Sequence, residues 1–571
     1  MSSEENRLPW IFGGIAGLLL GALWLTGALS AAIFGSGWAP VQGGELPLIA
    51  ARLLSHLEEP SLAWPKPTRG ALPGAVAFYL TGLGVLGAMA AAGWSGLKLA
   101  GQMGFDGPLS GGRRRAPSAR WATRRDLGDL RISGAQPGRL TLGRFGRSLI
   151  AAEAGQSVIA IAPTQSFKTT GLAIPALLEW SGPVVATSVK SDLLLDTFAH
   201  RGGRGEVMVF DPAQVTSMVP RTKASPLWGA TNWRGAMRVA HWLASAARTG
   251  SGSGLQDADF WFSSAEKLLA PLLFAAAANS RSIGTVVRWL DEGPESSEDE
   301  VIELLEKKGE VPEAKLAYLA TQNRDERQRS SVYTTAETVV AAFADPRVDE
   351  ETAVAEYSPA TLLDGGAHTL YLCAPLHEQE RLRVVFSMIV QELLAVVYET
   401  VAATGKPLDP PLLLLLDEAA NIAPLPNHDE IASTAAGHGV QLLSIFQDLA
   451  QINARYGRRA STVVNNHRGL ILGSGISDPD TLNLASRLIG AAEFEQRSRT
   501  AGEQGRRSTT EGNTYRDLMP GNVLRELELG TAVLIYGHRP PIQLRLRPYF
   551  REASLRRLTE ASPGGTEARE V

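Results

Sequence analysis

The sequence predicts an α/β fold: a parallel, helix-covered sheet, interrupted by an inserted all-α domain and preceded by two transmembrane helices. Three observations carry this expectation. Short apolar runs alternate with helix-length segments through most of the chain, the pattern of strands joined by crossover helices. Two of those runs lead into reactive pairs, the first through a turn to Lys168-Thr169 and the second directly to Asp417-Glu418, and the C-terminal edges of parallel strands are where ligands bind. Two long uncharged stretches open the chain.

The first 100 residues read as a membrane anchor. Residues 10–34 and 74–97 are apolar, rich in Gly and Ala, with Trp and Tyr toward their ends; each exceeds the roughly 20 residues needed to cross hydrocarbon. A secretory signal peptide is the rival reading for the first, because Ala28-Leu29-Ser30-Ala31 resembles a cleavage site. Glu4 and Glu5 and the length of the stretch speak against it. Arg113, Arg114, Arg115, Arg120, Arg124 and Arg125 follow the second span. By the positive-inside rule they place the large C-terminal part in the cytoplasm, and two spans then put the N-terminus there too, on the side where ATP is available. Residues 101–135 read as a linker.

Beyond the linker, the expected strands are residues 158–162, 184–187, 207–210, 369–373, 412–416, 441–446, 469–472 and 532–536. They divide a nucleotide-binding domain into two blocks, 136–229 and 356–551. Between the blocks, 230–355 reads as the inserted all-α domain. It contains amphipathic segments at 260–278, capped by Asp257 or Asp259, and at 330–343, with an acidic helix face and loop at 292–310. Residues 495–516 read as a flexible loop and 552–571 as a disordered tail.

Composition narrows the partners. The 571 residues carry a formal charge of −4, so any nucleic-acid contact must be local or built by oligomerisation. The single cysteine, Cys373, rules out an intrachain disulfide and a Cys-rich metal site; its apolar neighbours make it a core residue.

The two motifs together form the halves of a nucleoside triphosphatase site. Residues 157–170 run from an apolar strand through a turn into Lys168-Thr169 at a helix start, where exposed N–H groups and the helix dipole hold phosphates. Thr164, Gln165, Ser166, Phe167, Lys168, Thr169 and Thr170 are therefore the candidate ATP-binding residues. Lys168 is expected on the β/γ-phosphates and Thr169 on Mg²⁺. On the second motif Asp417 is the candidate partner of the metal, and Glu418 faces an attacking water. The loop departs from G-x-x-x-x-G-K-[ST], with Ala162 at the first glycine and Phe167 at the second. The second position usually takes a left-handed conformation, which costs a non-glycine residue about 1–2 kcal/mol. Either Phe167 carries that strain, or the loop is rearranged and the ring packs on an apolar neighbour.

Further segments complete a resemblance that spans nearly the whole chain. They are residues 187–193, reading Thr-Ser-Val-Lys-Ser-Asp-Leu; Val209-Phe210-Asp211-Pro212; residues 414–421, ending Asp417-Glu418-Ala419-Ala420-Asn421; Phe446-Gln447 with Tyr456-Gly457; Asn465-Asn466 before the strand at 470–473; and Asp478-Pro479-Asp480-Thr481. In order and spacing the chain resembles the type IV coupling proteins. These are the TraG-type membrane ATPases of conjugation and type IV secretion, related to the FtsK/HerA-like DNA pumps.

The resemblance implies a RecA-like P-loop NTPase domain in a homo-hexameric, two-pass plasma-membrane ATPase that uses ATP and Mg²⁺. It implies partners: DNA, in the first instance single-stranded and bound without sequence preference; a relaxase or other secreted protein, selected by the inserted helical domain; and components of a type IV secretion channel. It makes Gln447 a catalytic sensor of the γ-phosphate or attacking water, with a helix-capping amide as the alternative, and puts Lys190 and Asp192 at the crevice or on a surface turn. Coupling proteins usually carry an arginine in the stretch matching residues 435–439, where here only His438 can be cationic; Arg455, Arg458 and Arg487 are the other candidates. Two rival functions remain open: a weakly active or inactive membrane docking platform, and an FtsK-like DNA translocase.

Overall fold

The computed structural model describes residues 8–102, 118–189, 191–214, 216, 219–248, 256–307, 311–501 and 507–560. The chain divides into two compact units, Met1–Ala116 and Pro117–Val571.

In the first unit two long helices, Leu8–Phe34 and Ala75–Gln102, contain windows at Gly17–Phe34 and Ala75–Ala92 long and apolar enough to cross a bilayer. The connection between them is ordered around a small core of Ile49, Ala63, Trp64 and Phe78. Gly27 faces this core, and a Cβ there would lie 2.5 Å from the Trp64 ring. Only glycine lets the helix approach the indole so closely.

The second unit is built on a 12-stranded sheet. Its strands, with one separate pair, are β1 (Arg131–Ile132), β2 (Thr141–Phe145), β3 (Ser148–Ala151), β4 (Val158–Ile161), β5 (Val184–Ser188), β6 (Val207–Phe210), β7 (Thr369–Cys373), β8 (Leu412–Leu416), β9 (Val440–Phe446), β10 (Gly469–Gly473), the pair β11 (Ala491–Ala501) and β12 (Arg507–Asp517), β13 (Thr531–Tyr536) and β14 (Ile542–Arg545). The sheet order is β1-β3-β2-β14-β13-β10-β4-β9-β8-β5-β7-β6.

From β10 to β6 all neighbours are parallel. These strands are covered on both faces by helices, which is why they read as unbroken apolar runs; β4, β5, β7, β8, β9 and β10 are buried throughout. The expectation of a wholly parallel sheet fails on the other side. There β13 runs antiparallel to β10, and β14, β2, β3 and β1 extend it as an antiparallel meander. These strands are short, and β14 alternates buried and exposed positions over only four residues, too brief a period to register in sequence.

Three further expectations are corrected. Much of the segment assigned to a flexible loop forms the β11–β12 ribbon, paired from Ala491 with Asp517 to Ala501 with Arg507; its run of charged, Ser, Thr and Gly residues gives no apolar alternation in the sequence. The tail begins with a helix, Ala553–Glu560, whose Leu555 is buried; residues 561–571 lie outside the described residues. Part of the linker belongs to the fold, since Leu127 and Leu130 are core residues beside β1, while residues 103–117, with Arg113 to Arg115, lie outside the described residues.

Between β6 and β7 the described segments are helical: Trp233–Arg248, Gln256–Ala278, Ile283–Glu292, Pro294–Lys307, Pro312–Gln322, Glu326–Val340 and Pro346–Thr352. The helix from Gln256 begins ahead of both Asp257 and Asp259, so neither caps it. The acidic helix Pro294–Lys307 turns Val301, Leu304 and Leu305 inward, while its Glu300 pairs with Arg288 and accepts from the Trp289 indole N–H. Another helix, Gln379–Thr404, is apolar enough for a membrane by composition, yet 72% of it is buried in the fold. It is the crossover from β7 to β8.

Candidate nucleotide-binding site

The site forms where three adjacent strands end. In the order β4-β9-β8, the loop after β4 and the carboxylates after β8 flank the end of β9. The Ala162 N–H donates to Phe446 O at 3.0 Å, and the Ala419 N–H to Ile445 O at 3.0 Å. Both motifs are thereby tied to β9, and Gln447 follows directly. Two segments far apart in sequence become one site because parallel strands place their C-terminal ends on one edge.

The loop keeps a tight curvature without glycine. Gln165 has φ 62° and Phe167 φ 65°, both left-handed, at a cost of about 1–2 kcal/mol each. The Ser166 hydroxyl donates to Pro163 O at 2.6 Å, so this side chain braces the loop. The Phe167 ring also packs: its centroid is 6.0 Å from Phe550, edge to face, and 5.1 Å from the Arg551 guanidinium. Strain and packing, set out as alternatives from sequence, coexist. A wide turn at Thr169–Ala173 then leads into the helix Ile174–Glu179.

Lys168 Nζ donates to Glu418 Oε1 at 2.5 Å, and both side chains are nearly buried. Thr169 Oγ1 donates to Asp417 Oδ2 at 2.8 Å. Gln447 Nε2 donates to both Glu418 oxygens, at 3.2 and 3.0 Å, and Asn421 Nδ2 to Oε2 at 3.5 Å. Glu418 is itself left-handed at φ 54°, and the Thr187 hydroxyl fixes the turn by donating to Asp417 O at 2.7 Å. Burial pushes the Asp417 carboxyl up to about 6, against the lowering effects of Lys168 and the Thr169 hydroxyl.

These residues border a cleft of 530 Å³ lined by Thr164, Gln165, Phe167, Lys168, Thr169 and Thr170, by Ser188, Val189 and Asp192, by Asp417 and Glu418, and by Leu529 and Phe550. Its chemistry fits a magnesium nucleotide. The Thr170 hydroxyl is buried without a partner among the described residues, leaving a donor for an anion. Thr169 and Asp417 offer the hard oxygens that Mg²⁺ prefers.

Of the predicted residues, Ser166 contributes no side chain to the lining, and Gln447 reaches the site through Glu418. Lys190 lies outside the described residues, whereas Asp192 lines the cleft. Arg455, Arg458, Arg487 and His438 do not line it; the His438 ring packs at 4.6 Å on Tyr398, and its Nδ1 lies 2.9 Å from Thr434 O. Sequence reasoning named Thr187 and Asn421 only within motif segments, without a role in the site, and missed Leu529 and Phe550. Asn421, three residues after Glu418, was legible as a neighbour across one turn. Leu529 and Phe550 carry no local signal.

A family model described as Type IV secretory system Conjugative DNA transfer matches residues 117–565. The chain is similar to Protein VirD4 of Agrobacterium fabrum (strain C58 / ATCC 33970), 26% identical over 446 residues, covering 74% of this chain and 62% of that protein. It is similar to Protein VirD4 of Rhizobium rhizogenes, 24% identical, with the same coverage of 74% and 62%. With the Conjugal transfer protein TraG of Escherichia coli it shares 24% identity over 55% of this chain and 52% of that protein. The chain thus spans from 52% to 62% of the length of these curated relatives. Among solved structures, the plasmid coupling protein TrwB in complex with ADP and Mg²⁺ superposes with a TM-score of 0.55 at 18% identity, covering 76% of this chain and 94% of that one. The unbound monoclinic form of the bacterial conjugative coupling protein TrwBdeltaN70 gives 0.55 at 17% identity, over 76% and 94%. At this identity the likeness shows a shared fold.

Proposed function

The chain belongs to the type IV secretory system conjugative DNA transfer family, and on that premise we propose that it is a membrane-anchored ATPase, a coupling protein that delivers DNA with bound protein cargo to a secretion channel. The observation that carries this reading is the double pairing of Lys168 with Glu418 and Thr169 with Asp417, with Gln447 on the same Glu418 carboxylate. The names of the similar proteins, for conjugal transfer and plasmid coupling, support it.

ATP supplies the phosphoanhydride whose cleavage drives transport, and Mg²⁺ supplies positive charge to its oxygens. Lys168 leaves Glu418 to neutralise phosphate charge, helped by the Thr170 hydroxyl. Thr169 and Asp417 would hold the metal. Glu418, freed from Lys168 and still held by Gln447 and Asn421, takes the proton from the attacking water. Gln447 joins that carboxylate to the end of β9, so loss of the γ-phosphate is felt by the strand to which both motifs are hydrogen-bonded.

The two N-terminal helices anchor the protein in the plasma membrane with both termini cytoplasmic. A homo-hexameric ring gathers modest basic segments around a channel and binds single-stranded DNA independently of sequence. The inserted all-α domain selects a relaxase or another secreted protein. A second reading, a docking platform with weak or no turnover, draws on Phe167 standing where the loop usually has glycine. Transfer frequency from donor cells carrying wild type or Lys168→Ala tests the proposal: loss of transfer supports it, and equal frequencies remove the nucleotide site from the account.

A further inference from the structure

The cleft is polar at one end and apolar at the other. Lys168, Thr169, Asp417 and Glu418 form the polar end. Facing them across the loop are Leu529, 52% exposed, and Phe550, 42% exposed, which line the same cleft. Single exposed apolar side chains are ordinary. Two of them from separate elements on the wall of a phosphate cleft need a partner.

We infer that Phe550 and Leu529 form a clamp for a nucleobase and favour a purine nucleotide, a role that rests on the nucleotide reading of this cleft. Strand order gives the direction. The carboxylates follow β8, on the β9 side of β4, whereas Leu529 lies two residues before β13 and Phe550 follows β14, on the β10 side. A polyphosphate on the loop with its terminal group at Glu418 therefore has its nucleoside end toward Leu529 and Phe550.

The clamp is held in place before any ligand arrives. The Leu546 N–H donates to Gly530 O at 2.7 Å, and the Arg547 N–H to Gly171 O at 3.0 Å, which ties the segment before Phe550 to the residue after Leu529 and to the wide turn that leads from the phosphate loop into the helix Ile174–Glu179. Arg547, buried, pairs with Glu179 of that helix and with Glu552. The Tyr549 hydroxyl donates to Asp196 at 2.6 Å. The Phe550 ring rests edge to face on Phe167, with Arg551 5.8 Å from its centroid. An aromatic ring fixed by its neighbours yet left partly open loses little entropy on stacking. A purine offers it more π-surface than a pyrimidine.

Calorimetric titration of the full-length protein in detergent micelles with Mg²⁺ and, separately, ATP, CTP and inorganic tripolyphosphate tests this. ATP is expected to bind wild type more tightly than CTP. Phe550→Ala is expected to weaken ATP about tenfold while leaving tripolyphosphate within about twofold, and Phe550→Tyr, which keeps the ring, to restore ATP binding. The inference is overturned if Phe550→Ala leaves ATP affinity unchanged. It is equally overturned if both ligands weaken alike, because Phe550 then only props the loop through Phe167. If wild type binds neither ATP nor tripolyphosphate, the nucleotide reading itself falls, an outcome distinct from the other two.

Discussion

The Lys168 ammonium lies 2.5 Å from Glu418 Oε1, so the residue assigned to phosphate and the residue assigned to water neutralise each other. A ligand must separate them before either can act. Glu418→Gln removes the anion that competes for Lys168, and is expected to bind ATP at least as tightly as wild type while turnover falls about a hundredfold or more. Lys168→Ala is expected to lose binding and to lower stability by about 3 kcal/mol, because it leaves a buried carboxylate without its cation. Nucleotide titration and thermal unfolding of both variants check this pair of outcomes.

Asp417 titrates in an accessible range. Burial raises its carboxyl from 3.8 to about 6, so between those values the folded state holds a proton that the unfolded chain has lost. The associated stability is present below pH 3.8 and is lost as pH rises through about 6. A metal ligand must be ionised, so Mg²⁺-dependent ATP binding is expected to strengthen from pH 5 to about 7 and then level off. Asp417→Asn should flatten that part of the profile, leaving only the ionisation of the nucleotide. Titrations of wild type and variant across this range decide it.

Phe167 combines a left-handed backbone at φ 65° with ring contacts to Phe550 and Arg551. Comparing two substitutions separates the effects. Phe167→Ala loses the ring and keeps the strain, whereas Phe167→Gly loses the ring and relieves it. The glycine variant is expected to be the more stable by about 1–2 kcal/mol. Equal unfolding midpoints would mean that the loop is not strained at this residue.

The C-terminal segment is structural as far as Glu560. Glu552 pairs with Arg144 and the buried Arg547, which holds its carboxyl at about 2 against the opposing effect of burial. Its contribution is present above pH 4.5 and is lost as pH falls toward 2. Ending the chain after Arg551 removes this carboxylate and the buried Leu555, and should destabilise the protein by about 3 kcal/mol. A truncated protein melting with wild type would return the segment to the status of a loose tail.

What sequence reveals here follows from burial. β4 and β8 are fully buried, β4 leading through a turn to Lys168-Thr169 and β8 directly to Asp417-Glu418, so apolar runs followed by charged residues disclosed both the parallel half of the sheet and the heart of the site. The meander from β13 to β1 was illegible beyond β13, because strands such as β14, four residues long, give too little alternation. The β11–β12 ribbon was illegible because its run of charged, Ser, Thr and Gly residues gives no apolar alternation in the sequence. Phe550 could not be found from sequence, since its place beside Phe167 depends on the meander returning the chain to the loop.

ATP hydrolysis by the purified protein in lipid nanodiscs, measured with and without single-stranded DNA, separates a DNA-coupled ATPase from a docking platform. The expected result is Mg²⁺-dependent turnover that DNA stimulates and that Glu418→Gln abolishes while nucleotide binding survives. Turnover absent from a wild-type protein that still binds ATP, or a rate unchanged by Glu418→Gln, would contradict the account and leave a docking platform in its place.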